Sequence, residues 1–202
     1  MRTKVVKINS AKPEAVRIKK AASFLRTGGL VAFPTETVYG IAANMLDKDA
    51  IKKVYRIKNR SKDKPLTIHI ADVEMVKRMV GGIPSNAKKL ITKFWPGPLT
   101  LVLKDKTGKK MGFRMPDNKI AFLLIKEAAV PVVAPSANIS GRRPPTNAQE
   151  VLKNLSGKIE MVLDGGATQI GIESTVVDLS GQRYRILREG AISKEEIKEA
   201  LG

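Results

Sequence analysis

The chain contains no cysteine, a single histidine and few aromatic rings, and each shortage removes a class of chemistry. Without cysteine there are no disulfides, no thiolate zinc sites and no cysteine nucleophile. His69 alone cannot build a multi-histidine metal site, and any Ser-His-Asp triad would have to use it. An aromatic content of 4% is too low for a platform on which single-stranded bases stack. No apolar run reaches the ~18 residues that a membrane span needs. The basic start "MRTKVVKINSAKPEA" has neither the apolar core nor the small-residue cleavage site of a signal peptide. No repeat with a period of 20 to 50 residues is evident. The familiar phosphate loops are missing too: there is no Gly-x-x-x-x-Gly-Lys-Ser/Thr, no Gly-x-Gly-x-x-Gly after the first strand, and no Gly-x-Ser-x-Gly elbow. These absences predict a cytoplasmic protein in which anions are held by lysine, arginine, hydroxyls and backbone amides.

What is abundant is positive charge: 37 Lys+Arg stand against 19 Asp+Glu, a formal +18 and a pI near 10.2. Such a field attracts polyanions, either nucleotide phosphates or nucleic acid. The excess is clustered, with eight basic and two acidic residues in "KDAIKKVYRIKNRSKDK" at 48–64. At 202 residues and 43% apolar, the chain can bury a sizeable core, and no linker divides it. One domain over residues 1–202 is expected.

Apolar spacing predicts a helix over 13–27, with Ile18, Ala21, Ala22 and Leu25 on one side and Gly28-Gly29 as its stop. Further helices are predicted over 47–58, 84–95, 120–128, 146–155 and 193–201, the last capped by Ser193. Short apolar strands are predicted at 30–33, 65–70, 99–103, 130–135, 159–164, 174–179 and 184–189. The alternation predicts an α/β fold, a single domain with a twisted mixed parallel and antiparallel sheet flanked by helices.

Several polar stretches interrupt this pattern, and each has a plain reading beside a functional one. "FPTETVYG" (33–40) is either a capped turn or the floor of a site for a small polar molecule. "KNRSKDKPL" puts Lys58, Arg60, Lys62 and Lys64 between a helix and a strand, as a solubilising loop or as one wall of a phosphate channel. "APSANISG" (134–141) follows an apolar strand, and strand ends are where α/β sheets usually hold ligands; Ser136, Asn138 and Ser140 would supply donors and acceptors. The plain alternative is a Ser/Asn turn. Glu173, Ser174 and Thr175 open one late strand, Arg188 closes another, and Arg114 precedes the Met115-Pro116 break. His69, on one strand face with Thr67, reads first as a hydrogen-bonded core group and second as a ligand contact.

In order and spacing, "FPTETVYGIAAN", "KNR" before "PLTIHI", "WPGPLTLVL", "RMP", "APSANISG", "ESTVVD" and "ILREG" resemble the YrdC-like family of threonylcarbamoyl-adenylate synthases. The resemblance runs from about residue 10 to the C-terminus. Lys58-Asn59-Arg60 and Ser136-Ala137-Asn138 match the Lys-x-Arg and Ser-x-Asn pair of the synthase branch, and YciO-like relatives lack the Ser-x-Asn element. Ser61 stands where the family usually has proline. The resemblance implies the single-domain form, without the extra C-terminal domain of longer relatives. It also implies a nucleotidyltransferase that makes L-threonylcarbamoyl-adenylate and pyrophosphate from L-threonine, bicarbonate and ATP with magnesium. Partners then include a tRNA threonylcarbamoyltransferase complex and tRNA or double-stranded RNA; an RNA-binding module without turnover is the alternative. Carried over by residue, Thr35, Thr37, His69, Arg114 and Ser174 would bind threonine. Lys58, Arg60 and Lys64 would line the triphosphate, and Ser136, Asn138 and Arg188 the adenylate portion, with Lys58 and Arg60 as the catalytic pair. No dedicated metal ligand is expected, and "NRSKDK" is the candidate lid.

Overall fold

The computed structural model describes residues 2–202. The strands are β1 (Lys4–Lys7), β2 (Val31–Phe33), β3 (Gly40–Asn44), β4 (Thr67–His69), β5 (Leu99–Lys104), β6 (Lys110–Arg114), β7 (Val132–Val133), β8 (Met161–Asp164), β9 (Thr175–Asp178) and β10 (Arg185–Arg188). They form one ten-stranded sheet in the order β1-β8-β2-β3-β7-β4-β6-β5-β9-β10. Parallel pairs (β1 with β8, β2 with β8, β4 with β6, β5 with β9) mix with antiparallel ones, as the sequence predicts.

Among the described residues seven helices flank the sheet: α1 (Ala15–Arg26), α2 (Lys48–Lys58), α3 (Val73–Met79), α4 (Ser85–Phe94), α5 (Lys119–Ala128), α6 (Ala148–Leu155) and α7 (Lys194–Leu201). Their starts are chemically marked. Asp47 accepts from the amides of Asp49 and Ala50, Asn118 from those of Ile120 and Ala121, and Ser193 with Glu196 forms a reciprocal capping box before α7. The predicted strands at 65–70 and 130–135 are shorter than expected, because Pro65, Pro131 and Pro135 cannot donate to a ladder. Unassigned from sequence were β1, β3, β6 and the seven-residue α3. β3 is "GIAAN" and β6 "KMGFR", both poor in the β-branched residues that mark a strand.

Because side chains alternate across a strand, neighbours on β2 part company. Leu30 and Ala32 join the larger core, which runs the breadth of the sheet under α2, α4, α6 and α7. Val31 and Phe33 join a second core with Ile18, Ala22 and Leu25 of α1 and Ile120, Ala121 and Leu124 of α5. This second core draws its strand residues from β2, β3, β7 and β8, on one half of the sheet. Beyond β7 the same face changes character. Ile68, Leu99, Leu101 and Phe113 still point into the larger core, so Thr67, His69, Thr100, Gly112 and Arg114 alternate to the opposite side. An apolar helical layer thus gives way to polar side chains partway across one continuous sheet.

Candidate active site

That polar half-face is the floor of a cleft opening to solvent, lined among others by Thr35, Arg60, Thr67, His69, Thr100, Arg114, Ser136, Glu173, Ser174 and Arg188. Seven of these were singled out from sequence as site residues: Thr35, Arg60, His69, Arg114, Ser136, Ser174 and Arg188. They come from stretches of chain as far apart as Thr35 and Arg188. The strand-end expectation holds for Ser136, just past β7. His69 and Arg114 are the last residues of β4 and β6 and pair with each other.

"FPTETVYG" proves to be both a turn and a wall. The Thr35 hydroxyl donates to the Val38 carbonyl at 2.7 Å and accepts from the Val38 amide at 3.3 Å, which closes the turn. Its proton being spent there, the 2.8 Å contact with Thr37 leaves Thr37 as the donor. Thr37 is wholly buried and does not line the cleft; it reaches the site through Arg114, whose Nη2 donates to its hydroxyl at 2.7 Å. The same Nη2 donates to Glu36 Oε1 at 2.8 Å. Both partners of this ion pair are buried, at 6% and 4% side-chain exposure, so the guanidinium is fixed before any ligand arrives. Glu36 Oε2 is buried without a hydrogen-bond partner among the described residues.

His69 is buried edge-on against Phe33, with ring centroids 6.2 Å apart at 87°. Burial, reinforced by the charge of Arg114, pulls its pKa down to about 3. The imidazole is therefore neutral at physiological pH. Its Nδ1 has no partner among the described residues, unlike the satisfied core histidine of the plain reading. Ser174 shares a 2.8 Å hydroxyl contact with Thr100.

The opposite side is cationic. Asn59 takes a left-handed conformation (φ 48°, ψ 47°) as the cap of α2, turning the chain between Lys58 and Arg60. Arg60 is held by Nε donating to the Lys64 carbonyl at 3.1 Å and Nη2 to the Pro65 carbonyl at 3.0 Å, and it lines the cleft. Lys58 goes the other way, with only 1% exposure. Its ammonium donates to the Ser136 carbonyl, to the Asn138 carbonyl at 2.7 Å and, more weakly, to Asn138 Oδ1 at 3.4 Å. Three donors thereby meet three oxygens. Burial, then the nearby Arg60 charge, pull its pKa down to about 8. Lys58 therefore ties the Ser136–Asn138 loop from behind rather than lining the cleft, and Asn138 is likewise buried behind that wall. The Lys64 side chain is exposed and outside the lining residues; only its carbonyl serves, by anchoring Arg60.

Arg188 arrives through a β-bulge. Arg185 and Ile186 pair with Asp178 and Val177, but Val176 is then opposed by Arg188, skipping Leu187. The extra residue turns Leu187 out to solvent and Arg188 into the cleft. There Arg188 donates to the Ser174 carbonyl at 2.9 and 3.1 Å and to the Ser174 hydroxyl at 3.2 Å, and pairs with Glu173 at 3.0 Å.

Sequence reading named Thr67 only as a companion of His69 and gave no site role to Thr100, Glu36 or Glu173. The signal for Thr100 was present: a threonine between Leu99 and Leu101 in an alternating strand must face away from the core. Glu36 gave no such sign, since its partner lies 78 positions away. Arg60, Arg114 and Arg188 converge here without a cysteine, and among the described residues no serine bonds the neutral His69. The arrangement can grip anions and orient polar groups, but it presents no activated nucleophile.

A Sua5/YciO/YrdC family profile, described as "Telomere recombination", matches residues 23–190. The chain is 47% identical over 198 residues to the threonylcarbamoyl-AMP synthase of Pyrococcus abyssi, covering 94% of this chain and 58% of that protein. It thus spans little more than half the length of that relative. Its fold matches P. abyssi Sua5 complexed with L-threonine at a TM-score of 0.94 and 44% identity, covering 99% of this chain and 61% of the other. Escherichia coli YciO shares the fold, with a TM-score of 0.87 at 22% identity over 96% of this chain and 98% of that one. The chain belongs to the Sua5/YciO/YrdC family.

Proposed function

We propose that the protein is an L-threonylcarbamoyl-adenylate synthase that joins L-threonine, bicarbonate and ATP and releases pyrophosphate. The observation that carries this reading is the convergence of Arg60, Arg114 and Arg188 on one polar half-face, Arg60 anchored just before β4 and Arg114 at the end of β6, with no nucleophile among them. The likeness to a Sua5 complexed with L-threonine supports threonine as the amino acid.

Threonine's amine and bicarbonate condense to a carbamate with loss of water. A carbamate oxygen then attacks the α-phosphorus, and the bond to the β-phosphate breaks as pyrophosphate departs. Such transfer depends on positioning and charge neutralisation rather than on a covalent enzyme intermediate. Arg114 receives the threonine carboxylate, oriented by Glu36 and Thr37. Thr35, Ser174 and neutral His69 surround its hydroxyl and carbamate. Arg60 and Arg188 neutralise the phosphates, and Lys58 holds Ser136 and Asn138 in place against the adenylate portion. Magnesium enters with ATP as part of the substrate, held by phosphates and water. Among the described residues no three His, Cys, Asp or Glu side chains converge.

The test is pyrophosphate release that needs ATP, threonine and bicarbonate together and collapses in Arg60→Ala with the fold intact by circular dichroism. No threonine-dependent release from the unaltered protein would sink the reading. The net charge of +18 favours a second, compatible role: docking tRNA or another double-stranded RNA, and with it the transferase complex that consumes the unstable product. Each phosphate contact releases condensed counterions, so binding of a tRNA should weaken steeply with salt; a flat response removes this role. A cytoplasmic location, where tRNA and ATP meet, completes the proposal. Among the described residues no helix is long and apolar enough to cross a membrane.

A further inference from the structure

Gly112 lies inside β6, paired with Thr67 of β4 on one side and Val102 of β5 on the other. Its φ is not positive, so the backbone does not demand glycine there. Nor does packing demand it. A Cβ built at Gly112 would stand 3.6 Å from Thr100 Cγ2 and 3.7 Å from Thr67 Oγ1, which is ordinary van der Waals contact. At Gly190, by contrast, a Cβ would fall 2.2 Å from the Glu173 carbonyl oxygen. A glycine inside a strand weakens it, and where neither turn nor packing asks for one, a ligand's close approach is the remaining reason. Both side chains that the missing Cβ would touch line the cleft.

Register shows what passes over this spot. Just before β4, Pro65 anchors Arg60; Thr67 opens the strand two residues later, and His69 closes it two residues after that. On β6, Gly112 pairs with Thr67 and Arg114 with His69. The Thr67–Gly112 pair therefore sits between the Arg60 anchor and the Arg114 station. A molecule gripped at both ends must cross it.

We propose that Gly112 is a specificity-determining residue whose missing side chain leaves room for the carbamoyl–phosphate junction formed when the two substrates are joined. This rests on the synthase reading given above. The experiment compares unaltered protein with Gly112→Ala by thermal unfolding, by calorimetric binding of L-threonine alone, and by threonine-dependent pyrophosphate release. The expected result is a melting temperature unchanged or slightly raised. Threonine binding is retained within about threefold, while turnover falls on the order of 10²-fold, because the junction is displaced by roughly one atom's width. A loss of turnover smaller than about tenfold overturns the inference. So does a melting temperature lowered by the substitution, which would show a packing reason for glycine. So does a loss of threonine binding as large as the loss of turnover, which would place the obstruction elsewhere. If the unaltered protein shows no threonine-dependent turnover, the synthase reading itself fails, a result distinct from these three.

Discussion

Arg114 and Arg188 are built to one plan and placed in opposite surroundings. Each meets a glutamate and the hydroxyl residue that follows it: Glu36 and Thr37 for Arg114, Glu173 and Ser174 for Arg188. The first pair is buried, at 6% and 4% exposure, and the second is half open, at 41% and 32%. Water decides what the same chemistry does. Without it, Arg114 cannot exchange Glu36 for another anion without stranding a charge, so its orientation is fixed and only its unshared edge is on offer. With water present, the Arg188–Glu173 contact is worth little and can be given up to an incoming anion. One end of the cleft is prewired, and the other is exchangeable.

The largest expected effect tests the buried member. Arg114→Ala leaves Glu36 uncompensated and should cost about 3–5 kcal/mol of stability in a denaturant titration, along with threonine-dependent turnover. Arg188→Ala should separate the two quantities: stability stays within about 1 kcal/mol, because the pair is half exposed. Its transition-state stabilisation, read from kcat/KM for ATP, should drop by about 2–4 kcal/mol. Equal stability losses in the two variants would erase the distinction.

The prewired end should also carry a pH signature. The folded pKa of His69, about 3, lies below its unfolded value of 6.5, so the unfolded chain binds more protons between those limits. Its contribution is complete above pH 6.5 and is lost as the pH falls towards 3. Between pH 6.5 and 4.5 the loss should reach about 2–3 kcal/mol, and His69→Asn should flatten that part of the stability curve. An unchanged slope in the variant would mean that the ring is not held neutral. The smallest effect belongs to the exchangeable glutamate. Glu173→Gln should lower the KM for ATP only a few-fold, equivalent to less than about 1 kcal/mol, and the gain should shrink with added salt.

What could be read from sequence depended on how local the cause was. Asp47, Asn147 and Ser193 announce helix starts because a cap acts within three residues, and the structure places α2, α6 and α7 behind them. The turn at Thr35 and the clustering of Arg60, Arg114, Ser136, Ser174 and Arg188 in one hollow were legible through motif order. The inward turn of Lys58 was not. It depends on the left-handed Asn59 and on carbonyls 78 and 80 positions away, none of which a residue's identity reveals. β3 and β6 escaped notice because Gly40, Ala42, Ala43 and Gly112 carry little strand preference of their own. Neighbouring strands impose the extended form on them.

The bulge in β10 carries a consequence for how this stretch can vary. Leu187 is exposed, so almost any side chain should be acceptable there, and its removal would leave Ile186 opposite Val177 and the arginine opposite Val176 in an unbroken ladder. Straightening the ladder with Leu187 retained is what would set Leu187 opposite Val176 and rotate the guanidinium that follows to the far side of the sheet. At this point in the chain, the slip in register matters more than the side chain that makes it.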